Sequence, residues 1–69
     1  MSVARAFVIW SHTARAYVAP AGQERSFTGD FRKARKFATR EAAERECCGD
    51  EKVEGWTMSR RLFEEEVAR

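Results

Sequence analysis

SFTGDFRKARKF, residues 26–37, places four cations, Arg32, Lys33, Arg35 and Lys36, within five positions between Phe31 and Phe37. Phe31, Ala34 and Ala38 fall at i, i+3 and i+7 with Phe37 beside them. On a helical projection they share one face, and Arg32, Lys33 and Lys36 take the opposite one. Thr28 or Asp30 can cap the start, its side-chain oxygen accepting from a backbone N–H that would otherwise lack a partner. The stretch therefore predicts a short helix with an apolar side for a sheet and a cationic back.

Downstream, Thr39 is a second cap signal, and Glu41 follows in the first turn, where the helix dipole favours an anion. The spacing predicts a break near 37–39 and then a longer helix through EAAERECC to Gly49, a good C-terminal stop. Ala42, Ala43, Glu46 and Cys47 form its inner side and flank, and the small alanines permit close approach to a sheet. In EKVEGWTM, Val53 and Trp56 sit in a strand-like setting with Gly55 a candidate bulge. The last segment, SRRLFEEEVAR, reads either as a helix capped by Ser59 or as a prolonged strand. Arg60 and Arg61 would oppose the dipole at a helix start, which favours an extended start with room for a short terminal helix.

Upstream, VARAFVIW (Val3 to Trp10) is β-branched and aromatic and ends at the polar group Ser11, His12 and Thr13, which marks a first strand. ARAYVA (Ala14 to Ala19), stopped by Pro20 and an Ala21-Gly22-Gln23 turn, pairs with it as a hairpin, and Ser26 to Thr28 can add a few ladder bonds. The fold class is α+β, one domain over residues 1–69: an N-terminal β-hairpin, then a short and a longer helix on a small antiparallel sheet, then a C-terminal strand. In FVIW, Phe7 and Ile9 point to one side of the sheet and Val8 and Trp10 to the other. One helical layer covers one side. The second, with Val8, Trp10 and Trp56, is left for the C-terminal segment, a second copy of the chain or a partner.

The order of the first strand, Tyr17-Val18, a glycine turn, and then Thr28, Asp30, Ala34, Phe37, Thr39 and Ala43 resembles a group of small phage and bacterial domains. Their pattern has the form T-x-D-x-x-x-A-x-x-F-x-S/T-x-x-x-A, and the resemblance covers about two thirds of the chain. It implies a β-hairpin followed by helix and strand. Most such proteins lack an assigned role, and similar phage-encoded proteins include inhibitors of host defence such as anti-CRISPR proteins. The cysteine pair and the charged C-terminal segment depart from the pattern.

Composition narrows the function classes. A chain of 69 residues removes only about 60% of its unfolded surface from water, which leaves room for one small core and no deep walled site. With 43% hydrophobic and 35% charged residues a packed fold is expected, and the apolar stretch in MSVARAFVIWSH is too short for a signal peptide or a membrane span. The expected setting is soluble and cytoplasmic, the host cytoplasm for a phage-encoded protein. Cys47 and Cys48 are adjacent, so a bridge would constrain almost no chain, and one such pair with the distant His12 does not make a zinc site. No cofactor, metal or catalytic residue is expected: there is no phosphate loop, no H-E-x-x-H and no nucleophile elbow.

The net charge of +2 hides an asymmetry: residues 1–40 hold eight Lys or Arg against two acids, and residues 41–69 hold five against nine. An electrostatic partner must meet one half, and the candidate contact residues are Arg32, Lys33, Arg35, Lys36 and Arg40. The expected function is a non-enzymatic protein-interaction module of the anti-defence inhibitor type that binds a host protein or ribonucleoprotein complex. The alternative is a small nucleic-acid-binding accessory protein using the basic helix face. Nothing suggests a membrane partner, and a homodimer through the second sheet face is a further expectation.

Overall fold

A computed structural model describes residues 2–20 and 26–67. Along the chain run β1 (Val3–Ser11), β2 (Ala16–Val18), β3 (Phe27–Thr28), a single 3-10 turn (Phe31–Lys33), α1 (Arg40–Glu46), β4 (Glu51–Ser59) and α2 (Arg60–Glu66). The four strands form one antiparallel sheet in the order β3-β2-β1-β4. The α+β architecture read from the sequence is the architecture observed. The Ala21-Gly22-Gln23 turn lies outside the described residues.

The β1 strand is central because it is the longest apolar segment and needs cover on both sides. It pairs with β4 without interruption, from Val3 opposite Ser59 to Ser11 opposite Glu51. The bulge expected at Gly55 is therefore absent. Gly55 lies opposite Phe7, and the Arg5 side chain crosses the space a Cβ would take: an ideal Cβ there falls 2.6 Å from Arg5 Nε. The glycine accommodates a side chain on the face of the sheet and leaves the ladder regular.

The hairpin from β1 to β2 is shorter than the sequence suggests. Only Trp10–Tyr17 and Ser11–Ala16 pair, and residues 12–15 make the turn, with Arg15 at φ 52°. Ser11 Oγ accepts from the Ala14 N–H at 3.2 Å, and the Asp50 carboxylate accepts from the Thr13 N–H at 2.7 Å and also from the Thr13 hydroxyl. These bonds satisfy turn groups that no strand reaches.

The two sides of β1 are closed by different parts of the chain. On one, Ile9 is fully buried with Phe37 and Ala43, with Phe7, Val18, Ala42, Cys47 and Val53 packed around them. Thr39 caps α1, accepting from the Ala42 N–H at 3.1 Å, and Glu41 lies in the first turn as expected. The helix stops at Glu46, short of Gly49, because Cys47 is already extended (ψ 139°) and joins the core; Gly49 instead takes the left-handed corner at φ 59° that leads into β4.

On the other side Ala6 and Val8 are fully buried. Trp10 meets Tyr17 edge-on at 4.9 Å between ring centroids, and Phe31 lies 4.3 Å from Trp56, so four rings close over the sheet. Val8 thus offers no surface to a second copy or a partner, Trp10 is half-buried, and Trp56 keeps 37% of its surface exposed. Ser59 caps α2, accepting from the Leu62 N–H at 3.2 Å. Arg60 avoids the unfavourable end of the helix dipole by reaching back to the start of β1, where its Nε donates to Ser2 Oγ at 2.8 Å.

Candidate anion-binding surface

The segment after the 3-10 turn departs most from the sequence reading, and it positions the cations. Asp30 caps the turn as expected, accepting from the Arg32 N–H at 2.9 Å, but Ala34 is already extended at ψ 151° and no helix follows before Arg40. From Ile9 back toward Val3 the edge of β1 has no β2 partner, and residues 34–37 fill part of that gap. Phe7 and Phe37 exchange both backbone hydrogen bonds, at 3.0 and 2.8 Å, while the Arg35 N–H donates to the Val18 carbonyl at 2.9 Å. Residues 34–37 are therefore a strap lying beside β1, and side chains on an extended strap alternate between faces.

Alternation divides what the helical projection had joined. Phe31 stacks on Trp56 on one side of the sheet, and Phe37 enters the Ile9 core on the other. Both rings turn inward, toward opposite layers. Ala34 is buried as expected, whereas Ala38, placed inward by the helical period, is exposed.

The five predicted cations separate in the same way. Arg32 and Lys33 are exposed on the turn, and the Arg32 guanidinium lies 3.6 Å from Asp30. Lys36 is not a surface cation: its side chain is 2% exposed, and its ammonium donates to Glu66 Oε1 at 2.8 Å, Arg32 O at 2.9 Å and Ala34 O at 3.2 Å. All three of its protons have acceptors, and it lies 5.4 Å from the Phe31 ring centroid. It ties the strap to the end of α2. Arg35 and Arg40 go to the face that carries Phe7 and Phe37, the first 4.6 Å above the Phe37 ring and the second 5.3 Å above the Phe7 ring.

A third guanidinium joins these two. Arg5 lies over Gly55, which is the partner of Phe7 on one edge as Phe37 is on the other. Gly55, Phe7 and Phe37 make one row across three neighbouring chains, so Arg5, Arg40 and Arg35 lie in a line spanning about two strand spacings, ~10 Å. Among the described residues none of the three forms an ion pair. Helix α1 covers only the Ile9 end of this face, and around the row Val3, Thr57 and Ser59 are exposed. Arg5 was legible only as a charge within a strand, in phase with Phe7; its glycine seat depends on the register of β4, which is non-local.

Like charges about one strand spacing apart repel by a little under 1 kcal/mol per pair in water, and among the described residues no carboxylate pairs with this row. The two ring contacts offset part of that cost, about 0.5–1 kcal/mol each at exposed sites, and hold the guanidiniums in place before any ligand arrives. Fixing an arginine in advance removes about 0.5–1.5 kcal/mol of ordering cost from binding. The row is thus a preorganised, uncompensated cationic surface.

Other chemistry-bearing groups are distributed differently. Cys47 and Cys48 are free thiols, and burial, with Glu51, Glu44 and Cys48 adding to it, raises the Cys47 thiol above its ordinary value. Burial, aided by Glu54, likewise raises Tyr17. Among the described residues no three His, Cys, Asp or Glu side chains converge to hold a metal ion, and no helix is long and apolar enough to cross a membrane. An open concavity of about 370 Å³ lies between Pro20, Ala34, Arg35, Lys36, Glu65 and Glu66, and its lysine is already bound to its glutamate. No protein-family model matches the chain, and no curated protein or solved structure is significantly similar to it.

Proposed function

We propose that this chain is a non-enzymatic binding module whose open sheet face engages an anionic surface of a bacterial nucleic-acid-processing complex. In this reading it acts stoichiometrically, as a phage or mobile-element inhibitor of the anti-defence type toward which the T-x-D-x-x-x-A pattern points. The observation that supports it is the row Arg5, Arg40 and Arg35: three guanidiniums fixed over a glycine and two phenylalanine rings without a carboxylate partner among the described residues. Such a row costs folding energy, and an external anion relieves that cost.

The test is capture from a bacterial lysate, without nuclease treatment, with tagged protein. Wild type and an Arg32→Ala/Lys33→Ala variant should retain the same nucleic-acid-processing subunits, and an Arg5→Ala/Arg40→Ala variant should lose them. Retention by all three proteins, or by none, would remove the row from the function.

A further inference from the structure

We propose that the anion met by the arginine row is single-stranded nucleic acid, laid across the sheet and held by Arg5, Arg40 and Arg35. The proposal rests on the reading above, in which the row is the contact surface, and names the chemistry of its partner.

Three features of the surface select this class. The first is its shape. The row lies on an open sheet face beside exposed Val3, Thr57 and Ser59, with α1 contributing its first residue, Arg40, and packing its body toward Ile9, so it suits an extended chain that crosses it. The second is the state of the guanidiniums. Arg35 and Arg40 each sit above a phenylalanine ring, at 4.6 and 5.3 Å from the centroid. A guanidinium supported from below keeps N–H edges for phosphate oxygens and an outer plane on which a base can stack. A run of Asp and Glu would use the edges but offers no ring for the outer face, whereas every nucleotide of a single strand carries one. The third is the charge pattern. Among residues of β1 and β4 on this end of the face, Val3, Arg5, Phe7, Gly55, Thr57 and Ser59, there is no acid, whereas Glu54 alternates to the opposite side.

Arg32 and Lys33 lie outside this row, on the turn whose Phe31 packs against Trp56 on the opposite side of the sheet. The cationic run conspicuous in the sequence therefore contributes Arg35 to the site, and Arg5 enters from a strand far away in the chain. Three phosphate contacts to a single strand set the expected salt dependence: a slope of log K against log salt of about −2, or a loss of about 18-fold between 50 and 200 mM salt.

The experiment is fluorescence polarisation with a labelled 12-nucleotide oligothymidine, the corresponding duplex and an oligoglutamate peptide, at those two salt concentrations. Wild type should bind oligothymidine in preference to duplex and peptide. Arg5→Ala and Arg35→Gln, which keeps the stem over Phe37, should each reduce the slope by about 0.7, and Arg32→Ala/Lys33→Ala should leave it unchanged. Arg5→Ala carries the test if the strap variant loses stability, since Arg5 is exposed and outside the buried core. Absence of oligothymidine binding, or a slope that follows Arg32 and Lys33, overturns the proposal. Tighter binding of oligoglutamate overturns it as well while leaving the anionic-surface reading intact, and lysate capture lost on Arg5→Ala/Arg40→Ala would locate that partner.

Discussion

Lys36→Met removes the ammonium that joins the strap to α2 and keeps the apolar stem. The ammonium is almost fully withdrawn from water and has three acceptors, one of them the Glu66 carboxylate at 2.8 Å. Glu66 is 38% exposed and recovers water once its partner is gone, so the pair itself contributes no more than about 1 kcal/mol. The carbonyls of Arg32 and Ala34 lose a charged donor, and hydrogen bonds of that kind contribute about 1.5–3 kcal/mol in buried settings, less where water can return. The expected loss is about 2 kcal/mol, or a fall of about 8–16 °C in Tm for a domain of this size. Lys33→Met, three positions earlier in the same cationic run, should stay within about 0.5 kcal/mol of wild type. Urea unfolding of both variants, with Glu66→Gln and the Lys36→Met/Glu66→Gln double variant, separates the ion pair from the carbonyl bonds. Equal stability of Lys36→Met and Lys33→Met would refute the reasoning, because it would return Lys36 to the solvated surface.

Arg15 occupies the left-handed region at φ 52°, so Arg15→Gly should raise stability by about 0.5 kcal/mol in urea unfolding, the strain relieved exceeding the added freedom of the unfolded chain. The N–H of Arg32 holds Asp30, and the Thr13 hydroxyl and N–H hold Asp50, below the ordinary carboxylate range. A depressed folded pKa contributes stability that is fully present above the unfolded value of about 3.9 and is lost as pH falls through the folded value; Tm of Asp30→Asn/Asp50→Asn should therefore fall less than that of wild type between pH 5 and pH 2, and parallel curves would count against it. In a Cys48→Ser background, Cys47 should react with a thiol reagent at pH 7 more slowly folded than in urea, since burial disfavours its thiolate; equal rates would contradict that placement.

Features of the fold that rest on local chemistry were readable in the residues. The β-branched and aromatic content of β1, the cap residues Asp30, Thr39 and Ser59, and the buried small residues Ala34 and Ala43 all have the places their types suggest. Every position of the T-x-D-x-x-x-A-x-x-F-x-T-x-x-x-A pattern has structural work: Thr28 Oγ1 accepts from the Asp30 N–H, and Phe37 completes the Ile9 core. The strap was not readable, because its cause lies elsewhere in the chain. Phe31, Ala34 and Phe37 satisfy a helical period and, equally, a turn followed by alternation. What decides between them is the edge of β1 left open because β2 is only three residues long. The candidate site shows the same division. Arg35 and Arg40 were visible as cations, while the burial of Lys36 and the inclusion of Arg5 follow from register and from the return of α2.

The ladder between β1 and β4 also has a kinetic meaning. Its pairs join residues 40 to 56 positions apart in the chain, from Ser11–Glu51 to Val3–Ser59. Everything that distinguishes the domain, the hairpin, the strap and α1, lies inside the loop this ladder closes. Loop-closure entropy must be met before the longest contacts contribute, which places folding with the slower, milliseconds-to-seconds class of small domains. During synthesis β1 emerges with both sides apolar, and the first residue of its full-length ladder partner, Glu51, follows only 40 positions after Ser11. Over that interval FVIW is the segment most exposed to mispairing, and whatever shields a nascent chain must act there first.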